Sequence, residues 1–500
     1  MTKFTPLGST ACVIALLSAG AAHADVTAED VWANWQENFA MYGDDGVTIG
    51  DVSKDGDTLT VSSVSFHVDD NQTVFDMDMG AIAFVENGNG TVSVKLAESY
   101  PLKIETATGA EVNVSVLMTG MDLDVSGTPE AMIYNVSADK YGFIVDDITK
   151  NSKKLKSDVR VTLNNLAGAF TTTTGDMREI DYDMTAGSLS MLVDVTPPDT
   201  AGDYFTLSGK IEDLATKASM VLPLAENMTK PEDMFFNGYR LGGGYTYGKG
   251  NYIFDVNAEG EQTSGSASVG SGHLKMTMDE TAVRYDTLSQ DIAVAMNGAN
   301  IPFPIEISLA EAGLGFGMPL AKTDEPTDFG LLVNFTDLNV NDTIWTLADP
   351  SGAPPHDPVT ILLDLSGKAK LFFDLLDPTQ ADAIANAPVP GELNALTLNN
   401  LKISAAGAEV TGAGAFTFDN TDLTTFNGIP RPNGDVTVNV KGANTLIDKL
   451  IAMGLLPEDQ AMMGRMMMGM FATPTGDDEL TSKIEVNDEG HLIANGQRLQ

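Results

Sequence analysis

One spacing constrains this chain more than any other feature: two apolar residues alternating with polar ones, two polar residues together, then two more alternating apolar residues. It occurs as Leu59, Val61, Val64 and Phe66, as Val116, Met118, Met121 and Leu123, and as Val333, Phe335, Leu338 and Val340. Two further copies surround the pentapeptide TLNNL, at Thr162–Leu166 and Thr397–Leu401. Alternation is the period of a strand with one buried face. An extra residue in such a strand turns every later side chain to the other face unless the backbone bulges or bends there. Five copies therefore imply a bend that recurs along the fold.

The same alternation fills most of the chain, as in TVSVKL (91–96) and VTVNV (436–440), with turn signals such as Asn87-Gly88 and Asn433-Gly434 between the runs. The expected fold is mainly β: an elongated, curved antiparallel sheet built from repeated strand units, with an N-terminal amphipathic helix and a C-terminal helical hairpin. The N-terminal helix starts at Thr27, with Asp30 three residues on, and carries Val31, Trp32, Trp35, Phe39 and Tyr42 along one side before Gly43. The hairpin pairs ANTLIDKLIAMG with a second helix opening at Pro457. LSGK recurs at Leu207–Lys210 and Leu365–Lys368, read as the close of a strand before a short helix-like segment, and lacks the remaining residues of a phosphate loop.

Residues 1–24 read as an export signal: Lys3, a short apolar run, then Ala22-His23-Ala24 before Asp25. The expected location is the periplasm, by secretion through a cleavable signal. No later run reaches the roughly 20 apolar residues of a spanning helix, so no transmembrane segment is expected in the mature chain. Cys12, the only cysteine, lies in the signal, which excludes disulfide scaffolds and thiol chemistry from the remainder. LGGGYTYGKGN (241–251) and DPSGAPPHDP (349–358) are the candidate breaks in the remainder, and both read equally as long loops of one continuous sheet. Taken as breaks, these give an N-terminal helix and β-repeat region over 25–240, a middle β-region over 241–390, and a C-terminal β-region with the hairpin over 391–500. A net charge of −42, from 70 acidic against 28 basic residues, argues against nucleic acid, whose binding needs clustered cations.

Catalytic constellations are missing from the sequence. His67, His273, His356 and His491 stand apart and no nucleophile elbow occurs. Paired carboxylates, Asp76/Asp78, Asp122/Asp124 and Asp181/Asp183, alternate with apolar residues as a wet strand face does, and none continues into a calcium loop. No catalytic residue, metal site or cofactor is assigned. MMGRMMMGMF (462–471) leaves three readings open: core packing, an adaptable apolar contact surface, or a soft-metal site. Its candidate apolar-contact residues are Met463, Met466, Met467, Met470 and Phe471.

The C-terminal stretch GAEVTGAGAFTFDN, then GIPRPNGDVTVNVKGANTLIDKLIAMGLLP, the methionine-rich helix and LTSKIEVNDEGHLIANGQRL resemble the uncharacterised alphaproteobacterial family of domain of unknown function 2125, over Leu393 to Gln500. The repeated units also resemble the broader AsmA-like envelope proteins. That resemblance implies an apolar groove and lipid or envelope-component handling, although such proteins commonly keep an N-terminal anchor where Ala22-His23-Ala24 suggests cleavage. The expected function is non-enzymatic: a periplasmic protein holding a lipid-like envelope ligand in a β-groove. The alternative is a structural or assembly factor that binds envelope protein partners. An enzyme using paired carboxylates ranks third.

Overall fold

The computed structural model describes residues 25–39, 46–69, 72–150, 152–200, 202–224, 238–348, 352 and 355–499. The expected export signal, Cys12 and Tyr42 lie outside the described residues. Within them, 29 strands join in one antiparallel sheet.

The first five rows of the sheet each consist of two strands placed end to end. They are β1 (Val47–Ile49) with β2 (Val52–Asp55), β3 (Thr58–Val61) with β4 (Val64–Asp69), β5 (Thr73–Asp78) with β6 (Ile82–Glu86), β7 (Val92–Lys95) with β8 (Ser99–Thr106), and β9 (Ala110–Thr119) with β10 (Asp122–Thr128). Four long strands follow, β11 (Ala131–Lys150), β12 (Lys153–Thr174), β13 (Met177–Thr196) and β14 (Tyr204–Pro223); β11 spans both halves of the fifth row by pairing with β9 and β10. The rows split again into β15 (Arg240–Tyr247) with β16 (Gly250–Ala258), and β17 (Glu261–Val269) with β18 (Ser271–Asp279), then rejoin at β19 (Ala282–Gly298). Beyond lie β20 (Ile305–Pro319), β21 (Thr327–Val340), β22 (Val359–Leu371), β23 (Gly391–Ala405), β24 (Ala408–Asp419) and β25 (Arg431–Lys441). The far edge holds β26 (Thr473–Gly476), β27 (Glu479–Val486), β28 (Leu492–Ala494) and β29 (Gln497–Arg498). The glycine-rich stretch 241–251, one of the two sequence breaks, is thus paired strand inside the sheet.

The repeated spacing marks a seam across these strands. Its first copy straddles the gap between β3 and β4, its second the gap between β9 and β10. In the long strands the chain runs on but one residue leaves the ladder. Asn165 (φ 54°) does so in β12, Asp213 (φ 53°) in β14, Asp291 (φ 53°) in β19 and Asp337 (φ 56°) in β21. The TLNNL of β23 shifts register between Leu398 and Leu401. Short polar Asn and Asp tolerate the left-handed conformation better than other side chains. The strand beside such a residue has to be small at that point: a Cβ on Gly270 would stand 2.9 Å from the Asp291 Cβ.

LSGK does not close a strand in either copy; both lie within β14 and β22, because no local stop signal follows them. Their glycines make room for a facing ring. A Cβ on Gly209 would lie 2.1 Å from the Tyr252 ring, and one on Gly367 2.4 Å from that of Phe329.

Helix α1 (Ala28–Phe39) forms where the sequence places it, closed by reciprocal bonds: Thr27 N–H donates to Asp30 Oδ2 at 3.0 Å and Asp30 N–H to Thr27 Oγ1 at 3.2 Å. The carboxylate of Glu86 accepts from Ala28 N–H at 3.1 Å, a favourable place for an anion. The helix buries Val31 and Trp32 against Leu59, Val61, Ile82, Phe84, Val92, Val125 and Tyr134, and these residues make up the principal core. Inside it the Tyr134 hydroxyl donates to Asn34 Oδ1 at 2.8 Å, satisfying the buried amide oxygen. The C-terminal hairpin also matches expectation, as α4 (Ala443–Ala452) and α5 (Glu458–Phe471), tied by Arg465 to Asp448 at 2.5 Å. Two short helices, α2 (Asp342–Ala348) and α3 (Ala381–Asn386), were not expected; neither is long enough to show helical periodicity.

Candidate functional site: an uncovered apolar face

Directly paired residues in an antiparallel sheet project to the same face, so the registers trace what each face presents. One line of direct partners begins in the core at Tyr134 and crosses the sheet as Phe170, Tyr182, Ala218, Gly243, Met276, Tyr285, Phe316, Leu331, Leu365, Leu398, Gly414, Val436 and Ile484. No member is polar beyond the hydroxyls of its tyrosines. With strands about 4.8 Å apart, the line runs for on the order of 50–60 Å. Rings stack along it, Tyr134 on Phe170 at 4.4 Å and Tyr285 on Phe316 at 5.7 Å.

A second line lies across the seam: Phe143, Val161, Met191, Gly209, Tyr252, Ala267, Val294, Ile307 and Val340. The aromatic residues of α1 show that both halves present the same face. Trp35 meets Phe84 on one side of the seam at 5.4 Å, and Phe39 meets Phe66 on the other at 5.3 Å. The bends therefore keep apolar side chains on one face despite the extra residue, the purpose the sequence pattern implied.

Among the described residues only the first rows of this face are covered. Phe84 and Val125 are fully buried beneath α1, whereas Phe316 is 39% exposed, Leu331 38%, Phe335 44% and Ile361 43%.

The opposite face is polar. Asp183 pairs with Lys217 at 2.8 Å, Asp122 with Lys95 at 3.7 Å, and Asp124 accepts from Ser93 at 2.6 Å. Asp76 binds His67 at 2.6 Å, and this bond raises the imidazole pKa above its ordinary value. Asp76, Asp122, Asp124 and Asp183 thus have a cation, a hydroxyl or an imidazole as partner, and Asp78 accepts from the Gly80 N–H at 2.8 Å. His273 and His491 likewise meet Asp286 and Glu489, while His356 stacks on Trp345. Among the described residues no three His, Cys, Asp or Glu side chains gather where they could hold a metal ion. Shallow hollows at Asp181–Lys217 and at Ser266–Ser308 are lined mainly by residues that alternate with the apolar lines, together with Tyr182, Ala218 and Gly243 in the first and Val294, Ile307 and Val340 in the second.

The methionine run is not core. Met462, Met463, Met466, Met467 and Met470 are 53–73% exposed and Phe471 is 37% exposed; of α5 only Ala461 is buried. The core-packing reading fails for these five methionines, which are exposed, whereas Met468 is half-buried on the same helix.

Residues 254–488 match an uncharacterised protein family conserved in bacteria, DUF2125. No curated protein and no solved structure matches the chain. The matched region extends the C-terminal resemblance upstream of Leu393 into β16, so it contains the part of the apolar face from β17 onward together with α4 and α5. Helix α1 and the core beneath it lie outside it. Among the described residues no helix is long and apolar enough to cross a membrane.

Proposed function

We propose that the chain is an exported, non-enzymatic envelope protein that holds an apolar, lipid-like ligand against the uncovered face of its sheet. The observation that carries this reading is the unbroken apolar line from Phe170 to Ile484 with half-exposed rings and no covering layer among the described residues. A soluble monomer rarely leaves more than a few hundred Å² of contiguous apolar surface open, and acyl chains gain about 25 cal/mol for each Å² removed from water. The AsmA-like resemblance of the repeated units points the same way. The test is native mass spectrometry with lipid extraction of the protein purified from the periplasm: an acyl ligand should co-purify, and less of it with Phe316→Asp and Leu331→Asp. Recovery of bare protein would sink the reading. A second reading, an assembly factor that binds envelope proteins, is favoured by the outward methionines of α5, since flexible thioethers suit adaptable protein contacts. Crosslinking from Met466 to one stoichiometric protein partner would support it.

A further inference from the structure

Arg178 is out of place. It lies on β13 in alternation with Ile180 and Tyr182, opposite Thr174 and Leu222, which puts its side chain on the apolar face. Its Nε and Nη2 are shielded from water and have no hydrogen-bond partner among the described residues. In a chain with 70 acidic side chains, no carboxylate among the described residues forms an ion pair with it. One rung away on the same face, Thr172 is 5% exposed and its hydroxyl is also buried without a partner. Desolvating two guanidinium nitrogens with nothing to receive their protons is costly, and a planar fork of donors fits a carboxylate or phosphate.

We infer that Arg178 and Thr172 receive the acidic head of an amphiphile whose tail lies along the line that starts at Phe170 and Tyr182. The occupant is thus an anionic lipid-like molecule, a class fixed by charge complementarity at one end of an otherwise apolar track. This rests on the apolar face being the ligand surface, and the experiment separates the two. Binding of palmitate, of the alkyl phosphate with the same tail and of the matching neutral alcohol is measured by titration calorimetry on the mature chain and on Arg178→Gln. At least one acid should bind about tenfold more tightly than the alcohol, and Arg178→Gln should remove that margin while leaving alcohol affinity within about twofold. The preferred acid tells carboxylate from phosphate. Equal binding of acids and alcohol, or a margin that survives Arg178→Gln, overturns the inference and leaves the apolar surface standing. If none of the three binds, both fall. Thr172→Val provides a second variant should Arg178→Gln not fold, with an expected several-fold loss confined to the acids; an unchanged margin there counts equally against the inference.

Discussion

At the scale of single residues, the loop between β24 and β25 shows how local polar chemistry fixes a backbone that no core holds. Thr425 donates to Asp422 from its hydroxyl at 2.7 Å and its N–H at 3.1 Å; Thr424 donates as well, and Arg431 stands 3.2 Å away. The Thr425 hydroxyl bond above all holds the Asp422 carboxyl down to about 2. An aspartate whose folded pKa lies below its unfolded value of about 3.9 stabilises the fold fully above that value and loses the contribution as pH falls through the folded one. Thermal melts should therefore show an Asp422-dependent loss of stability between about pH 4 and pH 2, absent in Asp422→Asn, and no such difference in slope near neutrality. None of this was legible in DNTDLTTFNGIPR beyond a loop, because Asp and Thr choose their partners only once the loop is closed.

At the scale of elements, the strand steps were the most legible feature, since an odd spacing inside a period-2 pattern has few physical solutions. What the pattern omitted was the means: a left-handed Asn or Asp in the long strands, with a small residue beside it. Asp213, at φ 53°, is such a position. Asp213→Val should cost about 1–2 kcal/mol in urea unfolding, the price of the left-handed region for a side chain with a Cβ and no local hydrogen bond, whereas Asp213→Gly should be close to neutral. Equal effects of the two would mean that backbone strain does not govern the step. Helix α1 was legible through its Thr27 and Asp30 caps and its aromatic stripe. The α2 and α3 turns were not, because six or seven residues do not complete two helical turns. LSGK misled for a related reason: its glycine looks like punctuation in sequence but serves a ring on the neighbouring strand.

At the scale of the whole molecule, the methionines of α5 and the uncovered sheet belong to one question, what the open surface meets. Because Met467 and Met470 are 53% and 60% exposed, replacing them with Asp should change folding stability by no more than about 0.5 kcal/mol, as at other surface sites. The same change should lower the amount of co-purified apolar ligand if α5 closes over it. A large drop in melting temperature would show instead that these side chains pack. The sequence by itself determined the strand period, the bends, the caps of α1 and the acidity, because each is a local rule that neighbours along the chain suffice to state. It also carried both apolar lines in fragments. Only the tertiary structure decided that these fragments align into one face, that α1 covers its first rows, and that Arg178 stands on it with no carboxylate partner among the described residues. Register and coverage depend on which strands lie side by side, and that is set by pairings between residues far apart in the chain.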